Sequence, residues 1–239
     1  MNILITGGAS GLGLAITRLL AKDAGNTIYI TWSKSAAVAE ELQAQHTNIV
    51  SFQCDFTNVE SVKSFCNKIK NIDPDVLINN AYAGAYLQKH FQKTATEDYL
   101  LSFKENVLPV LEITQAALEI FRNKKNGKII TVLTSALHGK PAIGSSMYAA
   151  NKAYLQMMVK VWANENAKFN ISSNSISPSF MLTNLTASID ERIVEQIIET
   201  QSVKSLLTVE EVAETVRYMI LHPMENGTDI EVKPGSGIR

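Results

Sequence analysis

Tyr148 and Lys152 stand four positions apart in Tyr148-Ala149-Ala150-Asn151-Lys152, inside a stretch with helical spacing of apolar residues, so both side chains fall on one face one turn apart. An ammonium beside a phenol favours the phenolate and draws the tyrosine pKa from ~10 toward the working range of a general acid and base. A second group of residues suits a different task. Thr6-Gly7-Gly8-Ala9-Ser10-Gly11-Leu12-Gly13 follows the aliphatic run Ile3-Leu4-Ile5 and opens a helical pattern at Leu14. A strand, a glycine turn and a helix N-terminus in succession place backbone N–H groups and the positive end of a helix dipole against a pyrophosphate, where a Cβ would obstruct close approach. Proton transfer at one place and phosphate binding at another are the two chemistries these residues offer.

Such groups need a scaffold, and the hydrophobic pattern supplies one. Short β-branched or aliphatic runs at 2–6, 27–31, 48–54, 75–79, 127–134, 171–177 and 229–232 read as seven strands. Between them lie helical patterns near 12–23, 35–46, 58–70, 95–122, 146–168 and 208–221. This alternation predicts a doubly wound α/β fold with a buried parallel sheet, as one domain over residues 1–239. Asp73-Pro74-Asp75 is a turn signal, Thr57 is the expected N-cap of the third helix, and Pro109 is expected to kink the longest one.

Of the 239 residues, 46% are hydrophobic and 19% charged, which excludes a disordered chain. The 22 basic and 23 acidic side chains nearly cancel, so no net field draws in nucleic acid or an anionic membrane surface. Cys54 and Cys66 form neither a disulfide framework nor a zinc-spaced cluster. No charged residue occurs from Met1 through Thr17, yet the stretch lacks the basic leader of a signal peptide and four glycines interrupt it. No segment supplies the ~20 apolar residues of a membrane span. The expectation is a soluble, cytoplasmic protein.

The phosphate cradle also predicts a cofactor. A site for NAD(H) usually presents a carboxylate at the end of the second strand to bond the ribose 2′-hydroxyl. Here that end reads Ile30-Thr31-Trp32-Ser33-Lys34-Ser35, in which Lys34 and the hydroxyls of Ser33 and Ser35 suit a 2′-phosphate. NADP(H) is expected over NAD(H).

The spacing Gly-x-x-x-Gly-x-Gly in TGGASGLG resembles the cofactor loop of the short-chain dehydrogenase/reductase family, and the resemblance extends from Ile3 to about Val232. It implies a three-layer Rossmann fold with a seven-stranded parallel sheet. It also implies cofactor contacts from Gly7, Ser10, Gly11, Leu12 and Gly13, from Ser33 and Lys34, and from Asp55 at the adenine ring. Asn79-Asn80-Ala81 resembles the start of the family's Asn-Asn-Ala-Gly motif, placing Asn80 and Ala81 by the nicotinamide ribose, with Tyr82 where the family has glycine. Pro178 through Thr183 resembles the stretch that closes over the nicotinamide, with Ser179 in place of a glycine. Ser135, thirteen residues before Tyr148, matches the family's catalytic serine, and Asn106 its helix asparagine. The implied roles are proton transfer by Tyr148, substrate-oxygen binding by Ser135, a lowered tyrosine pKa and ribose binding by Lys152, and support of a water relay by Asn106.

The resemblance further places a substrate lid at about 184–207, where Ile189, Ile193, Val194, Ile197 and Ile198 form one apolar helical face. Phe180, Met181, Leu182 and Leu185 add an apolar rim, with Tyr82 and Tyr86 opposite. The expected partner is a small carbonyl or alcohol compound, whether a 3-oxoacyl thioester, as in the carrier-protein reductases the chain resembles, a sugar or a small ketone. Family members pair through helices matching 95–122 and 146–168, so a homodimer or homotetramer is expected. His138 reads equally as a pocket residue and as a loop histidine without a role, and Cys54, Cys66 and Met157-Met158 read as core. Alternatives are an NAD(H)-dependent sugar or small-alcohol dehydrogenase, a nucleotide-sugar epimerase, for which the chain ends too early, and an NADP(H) sensor without chemistry.

Overall fold

The computed structural model describes residues 1–87, 89–187 and 189–236. Seven strands form one sheet: β1 (Asn2–Ile5), β2 (Thr27–Trp32), β3 (Ile49–Gln53), β4 (Val76–Asn79), β5 (Gly127–Val132), β6 (Ile171–Pro178) and β7 (Asp229–Val232). They run in the order β3-β2-β1-β4-β5-β6-β7, and every neighbouring pair is parallel. Between them run α1 (Gly11–Ala21), α2 (Ala36–Gln45), α3 (Val59–Ile72), α4 (Thr96–Asn106), α5 (Leu108–Lys124), α6 (Ser146–Asn166), α7 (Glu191–Thr200) and α8 (Val209–Leu221).

Strand alternation splits the core into two layers. Ile3, Ile5, Ile28, Ile30 and Ile78 point to one face and pack against Leu12, Ile16 and Leu20 of α1 and Val212, Val216 and Met219 of α8. Leu4, Leu77 and Ile129 point to the other and meet Phe65 and Ile69 of α3, Ile113 and Phe121 of α5, and Leu155 and Trp162 of α6. The expected three-layer doubly wound fold is what forms. Order reverses between β1 and β4, so their C-terminal ends open a crevice, the usual ligand position in such sheets.

Three local expectations change. The long helical pattern is two helices, because the chain breaks at Val107 and Pro109 sits in the first turn of α5, where its missing N–H costs nothing. The N-cap of α3 is Asn58, whose Oδ1 accepts from the amides of Glu60 (3.0 Å) and Ser61 (3.2 Å), while Thr57 turns back to Asp55. Met157 is 60% exposed rather than core, whereas Cys54 is buried as expected.

Candidate active site

The glycine turn is held by three strands at once. Gly7 N–H donates to Thr31 Oγ1 (3.0 Å) and Gly8 N–H to Thr31 O (2.9 Å), tying the turn to β2. From the end of β4, Asn80 Nδ2 donates to Thr6 O (2.9 Å) and Gly7 O (3.3 Å), and the amides of Asn80 and Ala81 donate to Thr6 Oγ1 (2.9 and 3.1 Å). Gly7 adopts φ 68°, a region costly to side-chain-bearing residues. A Cβ on Gly13 would lie 2.1 Å from Gly7 O, so only glycine lets α1 start this close to the turn.

The helix so placed is left open at its N-terminus. Ser10 is the extended N-cap residue, makes no side-chain cap bond, and no acidic residue occupies the first turn. Among the described residues the amides of Gly11, Leu12 and Gly13 have no intramolecular acceptor. Open amides and a helix dipole fit a dinucleotide pyrophosphate.

A cleft of about 790 Å³ runs from this turn along the C-terminal edge of the sheet. At the β2–β3 end it is lined by Ser33, Lys34 and Asp55, in the middle by Gly7, Ser10, Gly11, Leu12, Asn80 and Ala81, and beyond β5 and β6 by Ser135, Tyr148, Lys152, Pro178 and Thr183. Gly13 and Asn106 stand behind the wall rather than in it. Asp55 is held below the usual carboxylate range, chiefly by the Thr57 amide, with help from the Thr57 and Ser33 hydroxyls and the Lys34 charge. Thr183 faces the turn, 3.4 Å from where a Cβ on Gly11 would stand.

At the far end, α6 carries Tyr148 and Lys152, both buried. Lys152 Nζ donates to Val132 O (2.7 Å), and burial brings its pKa down to about 8. Burial also pushes the Tyr148 phenol above its ordinary value, against an opposing bond from the Thr134 hydroxyl. This reverses the lowering expected from the Tyr-Lys spacing. The ammonium lies over the tyrosine ring, 5.8 Å from its centroid, and burial is the largest influence on the phenol.

Two further tyrosines enclose Tyr148. Tyr82 and Tyr86 each meet its ring edge to face at 5.0 Å, and Tyr86 reaches on to Phe180 at 6.5 Å. Ser135 lies in a 3₁₀ turn directly after β5, and its hydroxyl has no intramolecular partner among the described residues. Asn106 is fully engaged elsewhere: Oδ1 accepts from Ala83 N–H (2.6 Å) and Nδ2 donates to Ser102 O (3.0 Å).

Thr6, Thr17, Thr31 and Thr134 were not singled out from the sequence. Thr17 Oγ1 bridges the Gly8 (3.0 Å) and Gly13 (2.8 Å) carbonyls, and the Thr134 hydroxyl opposes the rise of the Tyr148 pKa. The available signal is position: Thr6, Thr31 and Thr134 lie at or just past strand ends beside motif residues, whereas Thr17, inside α1, carries no such signal. His138 also gains a setting, since its Nε2 pairs with Asp229 Oδ2 at 2.7 Å. Of the expected apolar lid face, Ile197 lines the cleft, Ile193 is exposed, and α7 buries no side chain against the core. Residue 188 of the lid lies outside the described residues. Among the described residues no group of His, Cys, Asp and Glu is disposed to hold a metal ion, and no helix is long and apolar enough to cross a membrane.

Known proteins resemble the chain at low identity. The chain is 29% identical over 221 residues, 90% of its length and 88% of the relative's, to a 3-oxoacyl-(acyl-carrier-protein) reductase of Thermotoga maritima. It is 31% identical over 218 residues, 86% of its length and 80% of the relative's, to a cyclopentanol dehydrogenase of a Comamonas species. A solved short chain dehydrogenase/reductase family protein, 26% identical, superposes with a TM-score of 0.83 over 96% of this chain and 94% of that one. The family model for short chain dehydrogenase matches residues 1–194, and the chain belongs to that family of oxidoreductases.

Proposed function

We propose that the chain is an NADP(H)-dependent enzyme that interconverts a carbonyl group and a secondary alcohol on a small molecule. The observation that carries this reading is a buried Tyr148–Lys152 pair in the same cleft as an open helix N-terminus built for a pyrophosphate. When bound, the nicotinamide supplies or accepts the hydride. Tyr148 Oη gives a proton to the substrate oxygen in reduction and removes it in oxidation. A phenol holds its proton at neutral pH, so the resting group is ready to donate in the reductive direction. The Ser135 hydroxyl donates to the same oxygen and fixes the carbonyl beside Tyr148. Lys152 Nζ, with two N–H groups beyond the one given to Val132 O, is disposed to hold the ribose hydroxyls. Asn106 acts by holding the Ala83 backbone, and with it the loop carrying Tyr82 and Tyr86.

The test is a panel of carbonyl and alcohol compounds followed by NADPH absorbance, with Tyr148→Phe as the blank. Tyr148→Phe is expected to abolish turnover while leaving NADPH binding intact; a near-wild-type rate would refute the assignment. For the cofactor, Lys34, Ser33 and Ser35 at the end of β2 support the 2′-phosphate form. For the substrate, a 3-oxoacyl thioester comes first, supported by the Thermotoga maritima relative and by the apolar wall of Tyr82, Tyr86 and Phe180. The Comamonas relative supports a small alicyclic alcohol as the second reading.

The same proposal includes one domain with a lid around α7, and a homodimer or homotetramer. Leu100 and Leu101 of α4, Leu108 of α5, and Tyr154 and Met157 of α6 are exposed apolar side chains on neighbouring elements, joined by the Phe103–Tyr154 contact at 5.1 Å. A dimeric or tetrameric mass in light scattering is expected, and a monomer at micromolar concentration would contradict it. The free thiols of Cys54 and Cys66 support a reducing, cytoplasmic setting.

A further inference from the structure

Tyr82 occupies the position where the family motif has glycine, and its ring does not stand idle. Its face lies 5.4 Å from Lys152 Nζ, and its ring meets that of Tyr148 at 5.0 Å with an interplanar angle of 71°. Burial raises its phenol pKa, and the side chains of Ser102 of α4 and Asn151 of α6 oppose that rise. Those two are themselves joined, Asn151 Nδ2 donating to Ser102 Oγ at 2.9 Å, and Asn106 Nδ2 donates to Ser102 O at 3.0 Å. The ring is therefore packed against Tyr148 while its face covers the lysine.

Lys152 needs such a neighbour. It is 4% exposed, and among the described residues its ammonium has one hydrogen-bond acceptor, Val132 O. Burial disfavours an ammonium, and an aromatic face offsets part of that cost. We propose that Tyr82 is a positioning residue that keeps Lys152 charged and in register with Tyr148. This inference rests on the oxidoreductase reading, in which those two residues are the working pair. The titratable groups facing the pair are the phenols of Tyr82 and Tyr86; the lowered Lys152 pKa has burial as its cause.

Three substitutions separate the ring from its volume and its hydroxyl. Tyr82→Phe keeps the face and drops the hydroxyl, while Tyr82→Leu and Tyr82→Met keep apolar bulk and drop the face. The readouts are kcat, substrate KM and the pH profile of kcat/KM, with thermal unfolding to confirm folding. Tyr82→Phe is expected to stay within about threefold of wild type, whereas Tyr82→Leu loses about tenfold in kcat with substrate KM little changed. Without the face, Lys152 gives up its proton more readily, so the basic limb moves to lower pH by about one unit. Tyr82→Met repeats the comparison should Tyr82→Leu fail to fold. Wild-type kcat and pH profile in both apolar variants, or equal loss in Tyr82→Phe and Tyr82→Leu, overturns the proposal. Lys152→Met and Tyr148→Phe run in parallel: if they retain turnover the functional reading fails, whereas if they are dead and Tyr82→Leu is normal, the role of Tyr82 alone fails.

Discussion

Replacing Gly13 with alanine sets two effects against each other. In an ordinary helix the change gains ~1 kcal/mol, because alanine is the best helix former and glycine among the worst. At this position the new Cβ would stand 2.1 Å from Gly7 O and 2.6 Å from Asn80 Nδ2. Both are well inside the ~3.3 Å of even a weak C–H···O contact. The nearer obstacle is backbone, so α1 must move away from the turn. Such overpacking costs ~1–3 kcal/mol. Moving the turn also strains the two bonds from Asn80 Nδ2 to Thr6 O and Gly7 O, with ~1–3 kcal/mol more for a buried donor left unpaired. The clash outweighs the propensity gain, for a net loss of about 3 kcal/mol. At ~2–4 °C per kcal/mol for a chain of this size, Tm should fall by ~6–12 °C in circular-dichroism melts. NADPH fluorescence titration should show at least about tenfold weaker binding, since the amides of the first turn leave their places. Gly139→Ala is the control, because nothing lies within 4 Å of its Cβ, and its Tm should match or slightly exceed wild type. A Gly13→Ala protein as stable as wild type with unchanged NADPH affinity would refute the argument.

Asp229 accepts bonds from Ser175 (2.8 Å), Ser177 (2.8 and 3.0 Å), Gln156 (3.1 Å) and His138 (2.7 Å). Asp229→Asn puts an amide donor among these donors and should cost ~2–3 kcal/mol in urea unfolding; a loss under ~0.5 kcal/mol would show that the network adds little. Asp75 is held below the ordinary carboxylate range: burial opposes this, but the Lys124 hydrogen bond and charge and the Asn2 amide prevail. A lowered folded-state pKa gives stability that is present above about pH 4 and lost as pH falls through the folded value. Asp75→Ala should therefore lower stability at pH 7, by no more than ~1 kcal/mol for so exposed a pair, with the gap closing below about pH 4; a gap independent of pH would rule out the charge. Lys34→Asp should reduce the NADPH-over-NADH ratio of kcat/KM by about tenfold or more, and an unchanged ratio would remove Lys34 from cofactor choice.

The sheet was legible because β1, β4 and the inner part of β5 are short runs, apolar on both faces, that alternate with longer helical patterns, as buried parallel strands do. Boundaries slipped where competing signals were local. Thr57 and Asn58 are both good caps, and the choice between them turned on Asp55, which draws the Thr57 amide and hydroxyl to itself. Pro109 reads as a kink in an unbroken pattern, yet the tertiary break at Val107 turns it into a helix starter. The apolar residues of α7 have helical spacing, but spacing does not say what a stripe faces, and here it faces the cleft mouth and solvent. Met157 fails for the same reason.

The electrostatics of the Tyr-Lys pair were the least legible feature, and the reason is geometric. A four-residue spacing puts two side chains on one face without saying how deep that face lies or which part of the ring the ammonium approaches. In the folded chain the same burial acts on both groups in opposite senses, because it disfavours whichever form is charged: the phenol is pushed up and the ammonium down, to about 8. The loop after β4 is part of that enclosure, setting the rings of Tyr82 and Tyr86 around Tyr148 and one of them over Lys152. That loop is held by Asn106 through Ala83 N–H. The protonation of Tyr148 thus depends on enclosure by residues outside the motif, which is why a spacing alone does not set it.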